Sequence, residues 1–411
     1  MATAAAPSPS AAPQRPRWGY QTSLWQVHQP AFWLFALVLL ITTIFSIGIQ
    51  AAFADLTPGG WLLSWVLLAL YAVPVIIAVF ALDLYEREPL SLVIGALLWG
   101  AFAATSMSIF ANVGWGIALI DWFGLDFAGR WAAALTAPFT EEITKGVGVV
   151  LLYLIARQEI DDLMDGFVYG AMVGLGFTVV EDVFYFVNVF GGDPGGVFQG
   201  FFVRVIASGL YGHVLYTGLF GMGVAYFVSR RRDSTLGKRL GVAALLSAAA
   251  IFAHFLWNSP LLDFFPAGEL DTAGEYLQVV VATAAKGLPF LAVLFVMLVL
   301  ARRREHRWLR AALASEVGKE GLRPDELAVL ESPSARRRAR REMAARAGPQ
   351  AAQVLKRFQK AQINLAMVVT RTHSEDHPDV VRQRRYCKQL RDWLIAYAPQ
   401  TPLAPPAAAP G

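Results

Sequence analysis

Residues 163–190 read LMDGFVYGAMVGLGFTVVEDVFYFVNVF, an apolar stretch long enough to cross a membrane as a helix. Small residues recur in it at every fourth position: Gly166, Gly170 and Gly174. Positions four apart share one helix face, and small residues there let neighbouring helices approach closely. Phe177 and Glu181 continue the same face, so the stretch predicts a helix bundle with a carboxylate in its interior. A structural glutamate satisfied by neighbouring hydroxyls is the alternative for Glu181.

The whole chain has the composition of a membrane protein. Of its 411 residues 56% are hydrophobic and 16% are charged, whereas a soluble domain carries about 25% charged residues. Its apolar runs predict an all-α fold, a polytopic membrane helical bundle of about eight transmembrane helices with a small cytosolic helical C-terminal region. The predicted spans are approximately 31–54, 61–82, 90–120, 131–157, 163–190, 201–229, 238–258 and 277–301. The third is expected to tilt or break near Gly114–Gly116, and the fourth to kink or begin at Pro138.

The distribution of charge between loops predicts how the chain crosses the membrane. Loops on one side carry most of the cations: Arg15, Arg17, Arg87, Arg157, Arg230, Arg231, Arg232, Lys238, Arg239, Arg302, Arg303 and Arg304. Loops on the other side are mainly acidic, with two arginines: Asp55, Asp121, Asp126, Arg130, Asp193, Arg204, Asp263, Glu269, Asp271 and Glu275. Positive loops stay inside, so we expect a multi-pass protein of the cell membrane with both termini cytoplasmic.

Three regions follow from these patterns: residues 1–30, a disordered tail and interfacial segment; residues 31–301, the transmembrane domain; and residues 302–411, a basic helical region with a disordered Pro/Ala end. The last region contains one arginine-rich run: Arg336, Arg337, Arg338, Arg340 and Arg341. That run can contact anionic lipid, at about 1 kcal/mol per close basic residue, or it is a solvated tail without a partner. Because topology accounts for the charge, no nucleic-acid partner is expected. The single cysteine, Cys387, excludes an internal disulfide.

A group of ionisable residues interrupts the fourth predicted span. Glu141 and Glu142 are adjacent, so their side chains lie about 100° apart on a helix and should differ in role. Lys145 is four residues from the first and three from the second, within reach of either. Such groups in apolar helices usually do chemistry or transport, and an interfacial ion cluster shielding a helix end is the alternative.

Two later spans add imidazoles. His213 lies inside the sixth predicted span on a stripe with Gly209 and Thr217, and His254 shares a face of the seventh with Asn258. Asn258 can orient the imidazole, bind a substrate or cap the helix end. From the alternating span directions we expect these groups, with Glu141 and Glu181, to converge in the outer half of the bilayer.

Four motifs in this order resemble a known family. They are EEITKG at 141–146, FTVVEDVFY at 177–185, His213, and HFLWN at 254–258. They resemble the PrsW family of intramembrane proteases, within the CAAX prenyl protease and bacteriocin-immunity superfamily, over roughly residues 85–300. Asp182 stands where the family usually has asparagine, which leaves the role of that position open. The resemblance implies a membrane-embedded peptidase acting on membrane-anchored proteins, of glutamate or metallopeptidase type.

We therefore expect peptide hydrolysis by an activated water. Glu141 or Glu142 is the general base, and Glu141 is favoured because its spacing to Lys145 suits pairing better. Glu181, His213 and His254 hold the water directly or bind a divalent metal such as zinc. Asn258 is assigned to the tetrahedral oxyanion.

Two other functions use the same residues. A proton-coupled transporter also places carboxylates and histidines at midplane, but the chain shows no inverted repeat and no paired broken helices. A binding or scaffold protein that has lost catalysis is the third possibility, against which the retained ionisable set counts. The sequence identifies neither the substrate nor the oligomeric state.

Overall fold

The computed structural model describes residues 23–82, 88–208, 211–231, 233–261, 272–372, 374–398 and 403. The N-terminal tail predicted as disordered lies mostly outside these residues, as do Gly209 and most of the Pro/Ala-rich end. Within the described part the chain forms helices and no strand, which confirms the all-α fold class. It divides into two compact units, with the boundary between Ala301 and Arg302.

The membrane unit contains ten helices in its described part. They are α1 (Pro30–Leu56), α2 (Pro58–Leu82), α3 (Leu90–Leu98), α4 (Thr105–Phe123), α5 (Leu125–Ile155), α6 (Leu163–Asn188), α7 (Pro194–Phe201), α8 (His213–Ser229), α9 (Leu236–Asn258) and α10 (Ala273–Glu316). Two π-helical turns, Trp99–Ala104 and Phe202–Ala207, continue α3 into α4 and extend α7. The last helix runs on past the boundary between the units.

Six of these helical segments are long and apolar enough to cross a membrane: α1, α2, the continuous α3–α4, α6, α9 and α10. The other two predicted spans correspond to α5, which carries the glutamate pair, and to a region that includes the shorter apolar helix α8. The chain is thus a multi-pass helical bundle. Helix α5 is continuous through Pro138 and begins well before it, at Leu125.

The irregularity of the third predicted span is real but lies elsewhere than expected. The helix passes unbroken through Gly114–Gly116, where an added Cβ would meet nothing within 4 Å. Its π-helical turn at Trp99–Ala104 instead packs on α6, where a Cβ on Gly100 would lie 1.9 Å from the Val173 carbonyl oxygen. A π turn changes the direction of a helix locally. Close packing on α6 therefore explains the position of this irregularity better than the glycine content of the span does.

The prediction of one continuous span over 201–229 is wrong. The π-helical turn ends at Ala207, and α8 begins afresh at His213 after Gly212, whose backbone is extended (φ −177°, ψ −163°). His213 is therefore the first residue of a helix, not a residue well inside one. The sequence has glycines around this break, but the prediction of the span relied on the length of the apolar run, which does not show a break.

Helix α6 is the centre of the membrane unit. In its apolar window 94% of residues are buried, against 22% for α1, 17% for α2 and 22% for α9. The glycine stripe faces α8 as the sequence predicts: a Cβ on Gly166, Gly170 or Gly174 would lie 2.2–2.3 Å from a backbone oxygen of that helix. The oxygens belong to residues spaced by four in the opposite order, Gly221, Thr217 and His213. Backbone contact along this seam fixes the position of His213 and Thr217.

The second unit is a small helical bundle. After the end of α10 it contains α11 (Pro324–Glu331), α12 (Pro333–Thr372) and α13 (Pro378–Tyr397). Helix α12 bends at Gly348, which has φ +86°, a conformation that favours glycine. The core of this unit includes Phe358, Cys387 and Leu390, and burial raises the pKa of the Cys387 thiol well above its usual range.

Candidate active site

Lys145 lies at the centre of a buried polar cluster. Its Nζ donates to Glu142 Oε1 at 2.8 Å, to Glu141 Oε2 at 3.3 Å and to His213 Nδ1 at 2.8 Å. The same atom sits 3.9 Å from the centre of the Phe177 ring, a cation–π contact. An ammonium has three N–H donors, and here each has an acceptor. The side chain is 0% exposed, so its charge is held entirely by protein groups.

Glu142 is held on both carboxylate oxygens. Its Oε1 accepts from Lys145 and lies 3.0 Å from His254 Nδ1, while its Oε2 accepts from the Thr217 hydroxyl at 3.0 Å. These partners come from α5, α9 and α8. Glu142 therefore joins three helices, and its lone pairs are directed at neighbours rather than at a substrate.

Glu141 is less constrained than its neighbour. Its Oε1 accepts from the Asn112 amide on α4 at 3.2 Å, and its Oε2 has the longer contact to Lys145. The same Oε2 faces two ring nitrogens, His254 Nε2 at 3.7 Å and His213 Nδ1 at 3.9 Å. The adjacent glutamates thus differ in their contacts, and Glu141 has the oxygen directed at both imidazoles. That they also differ in role stays a prediction.

The contacts of His213 specify its tautomer. A charged lysine can only donate, so Nδ1 of His213 is an acceptor, and the ring proton lies on Nε2. That Nε2 is 2.8 Å from Glu181 Oε2, which accepts the proton. The ring also packs edge-on against Phe177, 4.8 Å between centres. A chain of contacts therefore connects Glu181 on α6, through His213, to Lys145 on α5.

Arg204, which the charge pattern places in a loop, is a member of the site. It lies in the π-helical turn after α7, and its side chain is 11% exposed. Its Nη2 donates to Glu181 Oε2 at 2.5 Å, its Nε donates to Asp182, and its guanidinium lies 3.7 Å from the Tyr185 ring centre. The signal was present: a second carboxylate at Asp182 beside Glu181 in an apolar helix requires a cation nearby.

Asn112 and Thr217 were also missed as members of the cluster. Short polar side chains in apolar helices are common, so neither is distinctive before its partner is known.

Asn258 lies one turn beyond His254 at the end of α9. Its amide donates to the Ala133 carbonyl at 3.4 Å, and Ala133 lies eight residues before Glu141 on α5. At 1.5 Å per residue this is about 12 Å along the helix from the cluster. The contact fastens α9 to α5, and a role at the oxyanion stays a prediction.

Three side chains in the described part of the chain could together bind a metal. Glu141, His213 and His254 each offer a ligand atom, all within 4.8 Å of one another. The predicted metal set contained Glu181, and this trio contains Glu141 instead. The carboxylate of Glu181 is directed to His213 Nε2 and Arg204. Two imidazoles and a carboxylate suit zinc in type. With Lys145 in place their arrangement does not fit an ion, because its ammonium donates to both His213 Nδ1 and Glu141 Oε2.

The cluster as a whole gathers carboxylates, imidazoles and an ammonium from four separate helices. Six of the seven predicted site residues belong to it: Glu141, Glu142, Lys145, Glu181, His213 and His254. Such a buried set can move a proton to and from a bound water.

Comparison of the sequence with known proteins identifies a family for this chain. Residues 88–301, just over half of the chain, match the model described as PrsW family intramembrane metalloprotease. A curated relative, "Protease PrsW" from Geobacillus kaustophilus (strain HTA426), is 27% identical over 191 residues, which cover 46% of this chain and 69% of that protein. No solved structure matches the chain. The matched region includes every residue of the buried cluster, and the chain belongs to the PrsW family of intramembrane proteases.

Proposed function

We propose that this protease hydrolyses peptide bonds of membrane-anchored proteins by a water that Glu141 activates. One observation carries the proposal: of two adjacent buried glutamates, Glu142 has three contacts of 2.8–3.0 Å, whereas Glu141 has two longer ones of 3.2 and 3.3 Å. Its Oε2 also faces His254 Nε2 at 3.7 Å. A water beside that pair can donate to both atoms. A general base within hydrogen-bond reach of the water is what hydrolysis requires.

In this mechanism Glu141 takes a proton as the water oxygen attacks the scissile carbonyl carbon. The carbon–nitrogen bond then breaks, and Glu141 returns the proton to the leaving amine. His254 orients the water through Nε2, because its Nδ1 is committed to Glu142. Proton transfer by one positioned side chain contributes about 10²–10⁴-fold to a rate. No step passes through a metal, since Lys145 contacts the atoms that an ion would need.

The remaining members of the cluster act as positioning groups. Lys145 and Thr217 fix Glu142, and Glu181 with Arg204 holds the ring of His213. Asn258 remains our candidate for the oxyanion, provided that substrate binding releases it from Ala133. The proposed topology keeps both termini in the cytoplasm.

The proposal is tested in proteoliposomes that contain the full-length protein and a single-span membrane protein. We expect wild type to yield two fragments and Glu141→Gln to yield none above background, with both proteins eluting as the same monodisperse peak. Lys286→Met is the matched control: it removes a buried α10 lysine that donates to the Ser259 carbonyl. Wild-type fragment yield from Glu141→Gln would refute the assignment, and ion-driven solute uptake without fragments would favour the transporter.

A further inference from the structure

The ammonium of Lys145 and a divalent metal would need the same atoms. Of the trio Glu141, His213 and His254, the first two already accept hydrogen bonds from Lys145 Nζ, at 3.3 and 2.8 Å. We infer that Lys145 is the resident cation of this site and that its ammonium excludes a divalent metal from the resting enzyme.

The contact to His213 makes the two cations alternatives. A neutral imidazole has a single nitrogen lone pair available to a metal or a donor, and the other ring nitrogen carries the proton. In His213 the lone pair is on Nδ1, the atom that faces Glu141 and receives Lys145. The proton on Nε2 is held by Glu181 Oε2 at 2.8 Å. His213 can therefore bind a metal through Nδ1 only after Lys145 leaves it.

The contacts of Lys145 oppose its displacement from His213. Its three donors have three acceptors, and Phe177 covers the ammonium with its ring. The side chain is 0% exposed, so a displaced ammonium would have to find another buried partner or reach water. A divalent ion placed beside a retained ammonium would also be repelled strongly at such low dielectric.

This assigns Lys145 a role that its spacing to the glutamates alone does not show. It supplies a positive charge among the carboxylates and imidazoles from within α5, where it also holds Glu142. Lys145 is thus a positioning residue that acts through Glu142 and His213. The inference rests on the proposed function only for the role of Glu141.

Zinc binding to the full-length protein in detergent tests the inference without any substrate. We measure zinc content after purification and zinc affinity by competition with a chromophoric chelator, for wild type, Lys145→Met, Lys145→Arg and Lys286→Met. We expect wild type, Lys145→Arg and Lys286→Met to bind zinc weakly and alike. Lys145→Met should bind one zinc on the order of 100-fold more tightly, because two charge-assisted hydrogen bonds no longer compete for the ligands. The added His254→Ala substitution should remove that gain.

Two results would overturn the inference. One is unchanged or weaker zinc affinity in a monodisperse Lys145→Met protein. The other is a zinc measurement on protein that retains Lys145. One tightly bound zinc in wild type that is lost in His254→Ala would show that Lys145 does not exclude the metal. If Lys145→Met fails to fold, this second measurement decides alone. Peptidase activity enters neither result, so failure here is separate from failure of the proposed function.

Discussion

The two units of the molecule each bury a charged network, and the networks differ in how completely their groups are used. In the C-terminal unit Arg391 binds both oxygens of Glu326, at 2.7 and 2.8 Å, and Gln362 adds a third donor at 2.7 Å. In the membrane unit Glu141 has longer contacts, 3.2 Å from Asn112 and 3.3 Å from Lys145, and its Oε2 also faces an imidazole nitrogen 3.7 Å away. Both are buried, so burial alone does not identify chemistry. The distinguishing feature of Glu141 is that one carboxylate oxygen faces a ring nitrogen, His254 Nε2, across a gap that a water can bridge.

The strongest test of this contrast neutralises one glutamate in each network. Glu141→Gln should lower the cleavage rate about 10²–10⁴-fold with the fold retained, because the amide cannot accept the proton of water. Glu326→Gln should leave the rate of cleavage by intact protein nearly unchanged and lower the stability of the C-terminal unit instead. Initial rates in proteoliposomes, beside elution profiles, check both. Equal loss of activity in the two variants would contradict the distinction.

Breaking the C-terminal pair from its basic side should act on stability. Arg391→Met leaves Glu326 buried without its cation, a change that costs about 3–5 kcal/mol in comparable buried pairs. Cys387 reports the result: it is buried, its thiol pKa is raised by burial, and native protein should react slowly with a maleimide at pH 8. We expect labelling to accelerate in Arg391→Met but not in Arg338→Met, which alters an exposed arginine. Matching labelling rates in both variants would mean that the pair does not hold this unit together.

The ion pair of the membrane unit should behave as a coupled set. Arg204→Gln alone leaves Asp182 and Glu181 without their cation, whereas Asp182→Asn with Arg204→Gln removes one charge of each sign. We expect the double variant to be more stable than the sum of the single effects by about 0.5–3 kcal/mol. A double-mutant cycle on thermal unfolding measures this coupling. Strict additivity would show that the two side chains act independently.

The last test concerns packing on α6. A Cβ on Gly170 would lie 2.2 Å from the Thr217 carbonyl oxygen, so Gly170→Ala should push α8 away and cost about 1–3 kcal/mol. Because Thr217 holds Glu142, activity should fall as well. Gly114→Ala is the control, since its Cβ has open space. Similar unfolding temperatures for the two variants would argue against the glycine seam as a determinant of the site.

Much of this arrangement could be predicted from periodicity. The four-residue glycine spacing predicted a helix that a neighbour approaches closely, and the adjacency of the two glutamates predicted side chains about 100° apart on α5. Both are properties of one helix, and local sequence determines which side chains share a face.

The features that were missed depend on contacts between distant segments. The break before His213 includes Gly212, whose backbone is extended, and apolar length over 201–229 gives no sign of it. The sequence predicts Arg204 as a loop cation, and only the fold shows that it lies beside Asp182. The assignment of Glu181 to a metal set stays a prediction, and the structure directs its carboxylate to Arg204 and His213 Nε2. Sequence spacing fixes neighbours along a helix and leaves the partners across helices undetermined.

The central claim, that Glu141 activates a water for peptide hydrolysis, is tested most directly by cleavage in ¹⁸O-labelled water. Mass spectrometry of the new C-terminus should show one ¹⁸O incorporated by wild type, and no labelled product above background from Glu141→Gln. Labelled product formed by Glu141→Gln at the wild-type rate would contradict the account.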